Sequence, residues 1–149
     1  MERGELAIAA PPASFRKIFA GVLNATEAVA FQPGKQGFGH PVVARCVDLI
    51  KVVAPGASTE VPAYCRVENK PDGHGWHTDT GDQNHMPWCA CSGSVLLNAP
   101  GSFEGGWFEF RDPAARHKHY LGLLAYSSDN WHRVTPFEGE RRVLLIFLG

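Results

Sequence analysis

Three residues in the second half of the chain could bind one metal ion together. His77 and Asp79 are two positions apart, and His132 follows much later. Residues i and i+2 of a β-strand point to the same face, so His77 and Asp79 could contact one ion without a bend in the backbone. His132 would have to arrive from a second strand. Two imidazoles and one carboxylate on one side of an ion leave its other coordination positions open.

The His-x-Asp triplet is weak evidence by itself. A chain of 149 residues with 7 His and 15 acidic residues can contain such a triplet by chance, and the alternative is a surface His and Asp at the end of a strand. The context favours a metal site. Asp79 runs into Thr80-Gly81, and a polar loop precedes His132, so both ligands would lie at strand ends, near the mouth of a cavity rather than in the middle of a core.

A cation follows the distal histidine. Gly139-Glu140-Arg141 comes soon after His132, and we expect Arg141 to begin a strand antiparallel to the strand that starts with His132. Burial of a guanidinium is costly unless an anion pairs with it. A dicarboxylate could be that anion, held by a two-pronged contact. Arg142 remains an alternative, because the run after it is apolar on both faces, but the Gly-x-Arg spacing favours Arg141.

The order of apolar patterns predicts helices followed by strands. Two stripes at three- and four-residue spacing predict one helix after Ser14 and a second after Pro41. From about residue 60, short apolar or alternating runs are interrupted by turn residues, which is typical of a barrel or a two-sheet sandwich. The first stripe consists of Phe15, Ile18, Phe19, Val22 and Leu23, and the second of Val42, Cys46, Leu49, Ile50 and Val53. The strand candidates are 60–68, 75–79, 88–98, 106–111, 120–127, 131–137 and 141–148.

Composition is that of an ordinary globular protein. With 44% hydrophobic and 19% charged residues, we expect one domain over 1–149, in which 1–59 gives helical support and 60–149 forms the core. The net charge of −1 excludes a global basic field for nucleic acid or acidic membranes. The 4 cysteines lack zinc spacing and are too few for a disulfide framework, so we expect reduced thiols. The sequence shows neither a signal peptide nor a bilayer-spanning stretch, and the expected location is cytoplasmic.

Two segments carry a resemblance to a known family. They are Gly75-Trp-His-Thr-Asp-Thr-Gly81 and Ser128-Asp-Asn-Trp-His-Arg-Val-Thr-Pro-Phe-Glu-Gly-Glu-Arg141. The sequence resembles the Fe(II)/2-oxoglutarate-dependent oxygenases, and within them the prolyl 4-hydroxylase-like branch. The pattern of that family is His-x-Asp, a distal His followed by Val-x-Pro, and then Gly-x-Arg or a nearby Lys. The resemblance covers about residues 60–149.

The resemblance implies a mainly β fold with a double-stranded β-helix (jelly-roll) core and N-terminal supporting α-helices. It implies that His77, Asp79 and His132 ligate Fe(II), that 2-oxoglutarate chelates the iron beside O2, and that Arg141 binds the far carboxylate. The implied reaction hydroxylates a C–H bond of a prolyl residue or an amino-acid-like substrate, releases succinate and CO2, and is stimulated by ascorbate. Related halogenases lack the carboxylate, so Asp79 favours hydroxylation. The alternative is a cupin-like metal-binding barrel without oxygenase activity.

Three other polar residues have open roles. Tyr64 could hydrogen-bond the cosubstrate, as a tyrosine there often does in the family, or it could be a core tyrosine with a solvated hydroxyl. Asn98 lies where other members place polar cosubstrate contacts. His74 is three positions from His77 and would face the opposite way on a straight strand, so a loop or surface position is expected. Recognition of a peptide or amino-acid-like substrate is expected from the loops at 32–40, 80–87 and 112–119, without nucleic-acid or membrane partners.

Overall fold

Two antiparallel sheets face each other in this protein. The computed structural model describes residues 17–24, 31–60, 63–80, 86–111 and 114–149. In chain order the elements are β1 (Lys17–Val22), β2 (Gly34–Gln36), α1 (Pro41–Val53), β3 (Tyr64–Glu68), β4 (His74–His77), β5 (Cys91–Leu96), a 3-10 turn (Pro100–Ser102), β6 (Phe103–Gly105), β7 (Phe108–Arg111), β8 (Ala114–His117), β9 (Gly122–Ser127), β10 (His132–Val134), β11 (Phe137–Gly139) and β12 (Val143–Leu148).

The larger sheet has six strands in the order β1-β9-β5-β12-β3-β2, and the smaller has four in the order β4-β10-β7-β8. β11 and β6 form a separate two-stranded sheet. Each of the seven predicted strand runs overlaps a strand, and neighbouring strands pair in antiparallel fashion. The prediction of a mainly β jelly-roll core is therefore confirmed.

The predicted second helix is α1, which covers the outer face of the larger sheet. His40 caps its first turn, because the imidazole Nδ1 accepts the N–H of Val42 at 3.2 Å, and Pro41 suits the first helical position. Gly93 of β5 lets the helix pack closely, since a Cβ there would lie 2.9 Å from Cδ1 of Ile50. No helix in the described part of the chain is long and apolar enough to span a membrane. The helix buries Val42, Val43, Cys46, Val47 and Ile50.

The predicted first helix is wrong. Residues 14–16 lie outside the described residues. Ile18, Phe19 and Val22 belong to β1, which pairs with β9 at the edge of the larger sheet, and Leu23 follows directly after β1. Phe19 and Val22 are exposed, whereas Leu23 is buried and its N–H donates to the carbonyl of Leu121. Ile, Val and Phe also favour strands, and the open edge of β9 supplies the hydrogen bonds that a strand needs.

Strand β12 separates the two layers of the core. Leu144, Ile146 and Leu148 pack in the cluster that contains α1. The alternate residues Val143, Leu145 and Phe147 face the smaller sheet across a cavity. The run that looked apolar on both faces is therefore covered on both faces, by α1 on one side and by the smaller sheet across the cavity on the other.

The four cysteines are buried free thiols, as predicted. Cys65 and Cys91 lie in the core beneath α1, together with Cys46 of the helix itself. Cys89 lies in a smaller cluster with Met86 at one side of the cavity.

Candidate active site

The three predicted metal ligands lie together between the sheets. His77 ends β4, Asp79 follows two residues later, and His132 begins β10 directly across from His77. Oδ1 of Asp79 is 3.6 Å from Nε2 of His77 and 3.3 Å from Nε2 of His132. All three ligand atoms lie within 4.8 Å of one another. Ligands at right angles around an ion at about 2.1 Å are about 3 Å apart, so a small contraction would suffice.

The second ring nitrogen of each histidine fixes the direction of the first. Nδ1 of His77 is 2.6 Å from the carbonyl oxygen of Gly75, and Nδ1 of His132 is 2.8 Å from that of Asn130. A carbonyl oxygen can only accept, so both Nδ1 atoms carry a hydrogen, and both Nε2 atoms face Asp79, where a bound metal would replace a proton on either of them. Imidazoles that bind metals usually donate to a carbonyl in this way. The two imidazoles and the carboxylate together form a set of donors that suits a cation.

Asp79 is held on both sides. Its second oxygen, Oδ2, accepts a hydrogen bond of 2.7 Å from Oγ of Ser92, and its N–H donates to the carbonyl of Ser128 at 2.9 Å. Burial raises the pKa of the Asp79 carboxyl, but the contacts with His132 and Ser92 outweigh burial and keep that pKa below its ordinary value. Burial, followed by the neighbouring His132, lowers the pKa of His77. At neutral pH the pair is therefore a carboxylate and a neutral imidazole.

His74 lies in the same cavity as His77, so the prediction of a loop or surface position is wrong. In the β4–β10 pairing, His77 lies opposite His132 and His74 lies opposite Val134, so three steps on β4 match two on β10. This irregularity has the form of a β-bulge, which turns His74 to the face that His77 occupies. The two imidazole rings are 5.7 Å apart, and Nε2 of His74 is 2.9 Å from Oε1 of Glu68.

Arg141 reaches the cavity from the larger sheet. Its residue is 5% exposed, and its Nε donates to the carbonyl of Gly106 at 3.1 Å. Burial lowers the pKa of Arg141 to about 10, against the opposing effect of the Glu68 carboxylate, so the guanidinium is charged at neutral pH. It forms no ion pair with a carboxylate of the described residues. A bound carboxylate could supply the missing anion.

The position of Arg141 differs from the expected one. It precedes β12, which belongs to the larger sheet and does not pair with the β10 strand of His132. Strand alternation continues backward from β12, so Arg141 shares the cavity face of Val143, and Arg142 points to the other side. There Arg142 donates through Nη1 to the carbonyl of Phe31. The structure thus places Arg141, and not Arg142, in the cavity.

Two further residues shape the segment that carries Arg141. Asn98 does not line the main cavity; its side-chain amide donates to the carbonyl of Glu140 at 2.6 Å and accepts the N–H of Arg142 at 2.7 Å. Gly106 has a positive φ of 66°, and a Cβ there would lie 2.8 Å from Cδ of Arg141. Any larger residue at position 106 would therefore displace the Arg141 side chain. The sequence indicated only a turn at Gly105-Gly106 and did not reveal this contact.

The cavity between the sheets has a volume of about 160 Å³. Tyr64 of β3 lies on its wall, where its ring packs 5.0 Å from that of Phe147. Burial raises the pKa of the Tyr64 hydroxyl, so this group stays protonated at neutral pH. The lining combines the candidate ligands with Arg141 at one side and apolar groups around them. It includes Tyr64, Arg66, Glu68, His74, Met86, Ser94, Phe108, Tyr126, Val134, Val143, Leu145 and Phe147.

Several solved structures share this arrangement of strands. The viral collagen prolyl hydroxylase of Paramecium Bursaria Chlorella virus-1, in a 2OG complex, is similar with a TM-score of 0.67 and 14% identity over 94% of this chain and 97% of that chain. The chain has the prolyl 4-hydroxylase fold. A Pseudomonas putida prolyl-4-hydroxylase has a TM-score of 0.61 and 17% identity, over 78% of this chain and 70% of its own.

The prolyl 4-hydroxylase fold is shared without close sequence similarity. A Phytophthora capsici prolyl 4-hydroxylase has a TM-score of 0.53 and 19% identity over 68% of this chain, and the match spans 38% of that longer protein. No protein-family model and no curated protein matches the sequence. The comparisons therefore establish the fold alone, and any statement about activity or substrate has to rest on the site.

Proposed function

We propose that this protein is an Fe(II)/2-oxoglutarate-dependent dioxygenase. It would hydroxylate a C–H bond of a prolyl residue or an amino-acid-like substrate and release succinate and CO2. The observation that carries the proposal is the charged, buried guanidinium of Arg141 in the same cavity as a two-histidine, one-carboxylate cluster. A metal-binding barrel without oxygenase activity would need the cluster but would have no use for the cation.

His77, Asp79 and His132 would hold the iron. Their imidazole and carboxylate donors match the ligand set of non-haem Fe(II) oxygenases, which leaves positions open for other ligands. Bound Fe(II) supplies the redox chemistry that consumes O2 and 2-oxoglutarate, and ascorbate would keep the metal reduced. The two Nε2 atoms and Oδ1 of Asp79 lie within 4.8 Å of one another, so the three ligands would have to draw together when the metal binds.

Arg141 and Tyr64 would orient the cosubstrate. The Nη atoms of Arg141 can form a two-pronged contact with the far carboxylate of 2-oxoglutarate, while its Nε stays bonded to Gly106. The Tyr64 hydroxyl is on the cavity wall and can donate one more hydrogen bond. Apolar side chains such as Met86, Leu145 and Phe147 surround the site and keep bulk water away from it.

The test is succinate formation by the purified protein with Fe(II), ascorbate and 2-oxoglutarate. We expect slow succinate release without any primary substrate. Arg141→Gln should raise the concentration of 2-oxoglutarate needed for half-maximal release by about thirtyfold or more, because truncating one partner of a buried charge pair costs at least about 2 kcal/mol and each 1.4 kcal/mol is a factor of about ten. Metal affinity should change little, since Arg141 does not touch the cluster. Both quantities are measured by titration, with succinate quantified by mass spectrometry.

Arg142→Gln is the matched control. It removes the same charge one residue away, on the opposite side of β12, and should leave the requirement for 2-oxoglutarate unchanged. A wild-type protein that binds the metal but neither binds 2-oxoglutarate nor forms succinate would contradict the proposal and favour the cupin-like alternative. Loss of metal by chelation should abolish succinate release, and added Fe(II) should restore it.

A further inference from the structure

An open groove lies beside the cavity, along the outer part of the larger sheet. The groove is open to solvent along its length, whereas the cavity between the sheets has a volume of about 160 Å³. Tyr64, Arg66 and Glu68 of β3 line both, so the groove and the cavity are neighbours along this strand. We call this region the β2–β3 groove. Its lining includes Lys35, Tyr64, Arg66, Glu68 and Lys70.

Strand geometry explains why these residues share one surface. Side chains alternate along β3, so Cys65 and Val67 face the core under α1 while Arg66 faces the cavity. Lys35 of β2 lies directly opposite Arg66 in the antiparallel pairing, so it projects from the same face. The groove also lies in the region 32–40, one of the segments from which the sequence predicted substrate recognition.

The charge of the groove is cationic. Lys35 and Lys70 are exposed, and neither forms an ion pair with a described residue. The carboxylate of Glu68 is already shared between Nη2 of Arg66 at 2.7 Å and Nε2 of His74 at 2.9 Å, and its side chain is only 11% exposed. Glu68 therefore orients Arg66 rather than presenting a free negative charge to solvent.

Arg66 is the link between groove and cavity. Its side chain is 41% exposed, so the guanidinium can be reached from solvent. Its Nε is buried and has no hydrogen-bond partner among the described residues. The whole chain has a net charge of −1, so three cations around one groove are a local feature.

We propose that the β2–β3 groove binds an acidic, extended peptide segment of the primary substrate. Arg66 and Lys35 contact a carboxylate side chain next to the residue that enters the cavity. A segment is expected because a cavity of about 160 Å³ holds only a small group beside 2-oxoglutarate, whereas the open groove runs along β2, the last strand of the sheet, where an extended chain can lie. This inference rests on the proposed function, since it assigns the substrate class of the same site.

The experiment compares two fluorescently labelled peptides that differ only in charge. Each has one central proline, flanked by glutamates in one peptide and by glutamines in the other. Binding is measured by fluorescence anisotropy with Fe(II) and 2-oxoglutarate in the absence of O2, and again without metal. We expect the glutamate peptide to bind about five- to tenfold more tightly at low salt. The difference should shrink as salt is added, because exposed charges are screened.

Single variants test which residues cause the preference for the glutamate peptide. Arg66→Gln should remove most of the discrimination between the two peptides, and Lys35→Gln should reduce it without touching the contacts of Glu68. Lys51→Gln is the control, because Lys51 is an exposed lysine of α1 on the outer side of the sheet, and its loss should leave the preference intact. Since Lys35 is exposed, its variant remains informative even if Arg66→Gln folds poorly.

Three results would overturn the inference. They are equal affinity for the two peptides, a preference that persists in both Arg66→Gln and Lys35→Gln, and failure of the wild-type protein to bind either peptide. Succinate release by the wild-type protein without peptide is measured in parallel. If it occurs while charge selectivity is absent, the groove assignment alone fails. If selective binding occurs without succinate release, the groove assignment stands and the proposed oxygenase function fails.

Discussion

At the scale of single residues, Ser92 decides which oxygen of Asp79 is offered to a metal. The Ser92 hydroxyl donates to Oδ2, so Oδ1 faces the two imidazoles. Ser92 is fully buried in β5, where no solvent can replace the lost donor. Partners of this kind fix the orientation of a metal-binding carboxylate, and their removal typically costs about 10–100-fold in metal affinity.

We therefore expect Ser92→Ala to weaken Fe(II) binding by about tenfold or more. Anaerobic titration with Fe(II), or with Co(II) followed by its absorbance, gives the affinity. The control is Ser94→Ala, two residues along the same strand and on the same face, which should change the affinity little. An Fe(II) affinity that is equal in Ser92→Ala and the wild-type protein would show that Asp79 keeps its orientation without Ser92.

At the scale of elements, the Glu68–His74 pair joins β3 of the larger sheet to β4 of the smaller. Burial raises the pKa of the Glu68 carboxyl, but His74 and Arg66 outweigh burial, and its pKa lies below the ordinary value. A carboxyl with a depressed pKa stabilises the folded state fully above its unfolded-state pKa of about 4.3. That contribution is lost as the pH falls through the lower folded-state pKa.

Glu68→Gln should therefore lower the free energy of unfolding at pH 7 by about 1 kcal/mol, and the difference should shrink at the acid end of the range. Urea unfolding at neutral and at acidic pH measures both values. Glu138→Gln, at an exposed position of β11, should have little effect at either pH. Equal destabilisation by Glu68→Gln at both pH values would mean that lost packing, and not charge, explains the effect.

Some of the elements could be predicted from the sequence, and others could not. The positions of the seven core strand runs, α1 and the ligands follow from local patterns. The sequence pattern did not reveal β1, since whether an apolar stripe becomes a helix or a strand depends on the free edge of β9. The bulge that turns His74 inward is set by pairing between β4 and β10. The sequence could not distinguish Arg141 from Arg142. Which alternate residues of β12 face the cavity depends on how the two sheets pack, and the apolar run itself does not show it.

At the scale of the whole molecule, the reaction rates of the four buried thiols can show whether the fold unfolds cooperatively. Burial raises the pKa of the Cys65 thiol to about 11 and that of Cys89 to about 12, and it also raises the pKa of Cys91. The thiolate is the reactive form, so these three thiols should be protected both by exclusion of solvent and by protonation. Cys46 is buried in α1 beside them.

We expect a disulfide reagent such as Ellman's reagent, at mildly alkaline pH, to react very slowly with the native protein and rapidly with all four cysteines in denaturant. If the core opens as one unit, the four should react at one rate that rises with denaturant concentration, because reaction then follows the globally unfolded fraction. Val52→Cys supplies the control, since Val52 is 77% exposed on α1 and the introduced thiol should react at once.

A native thiol that reacts as fast as the thiol introduced by Val52→Cys would contradict the assignment of the four cysteines as buried. One that reacts ahead of the other three, such as Cys89 beside the cavity, would show that the site opens locally while the sheets under α1 stay closed.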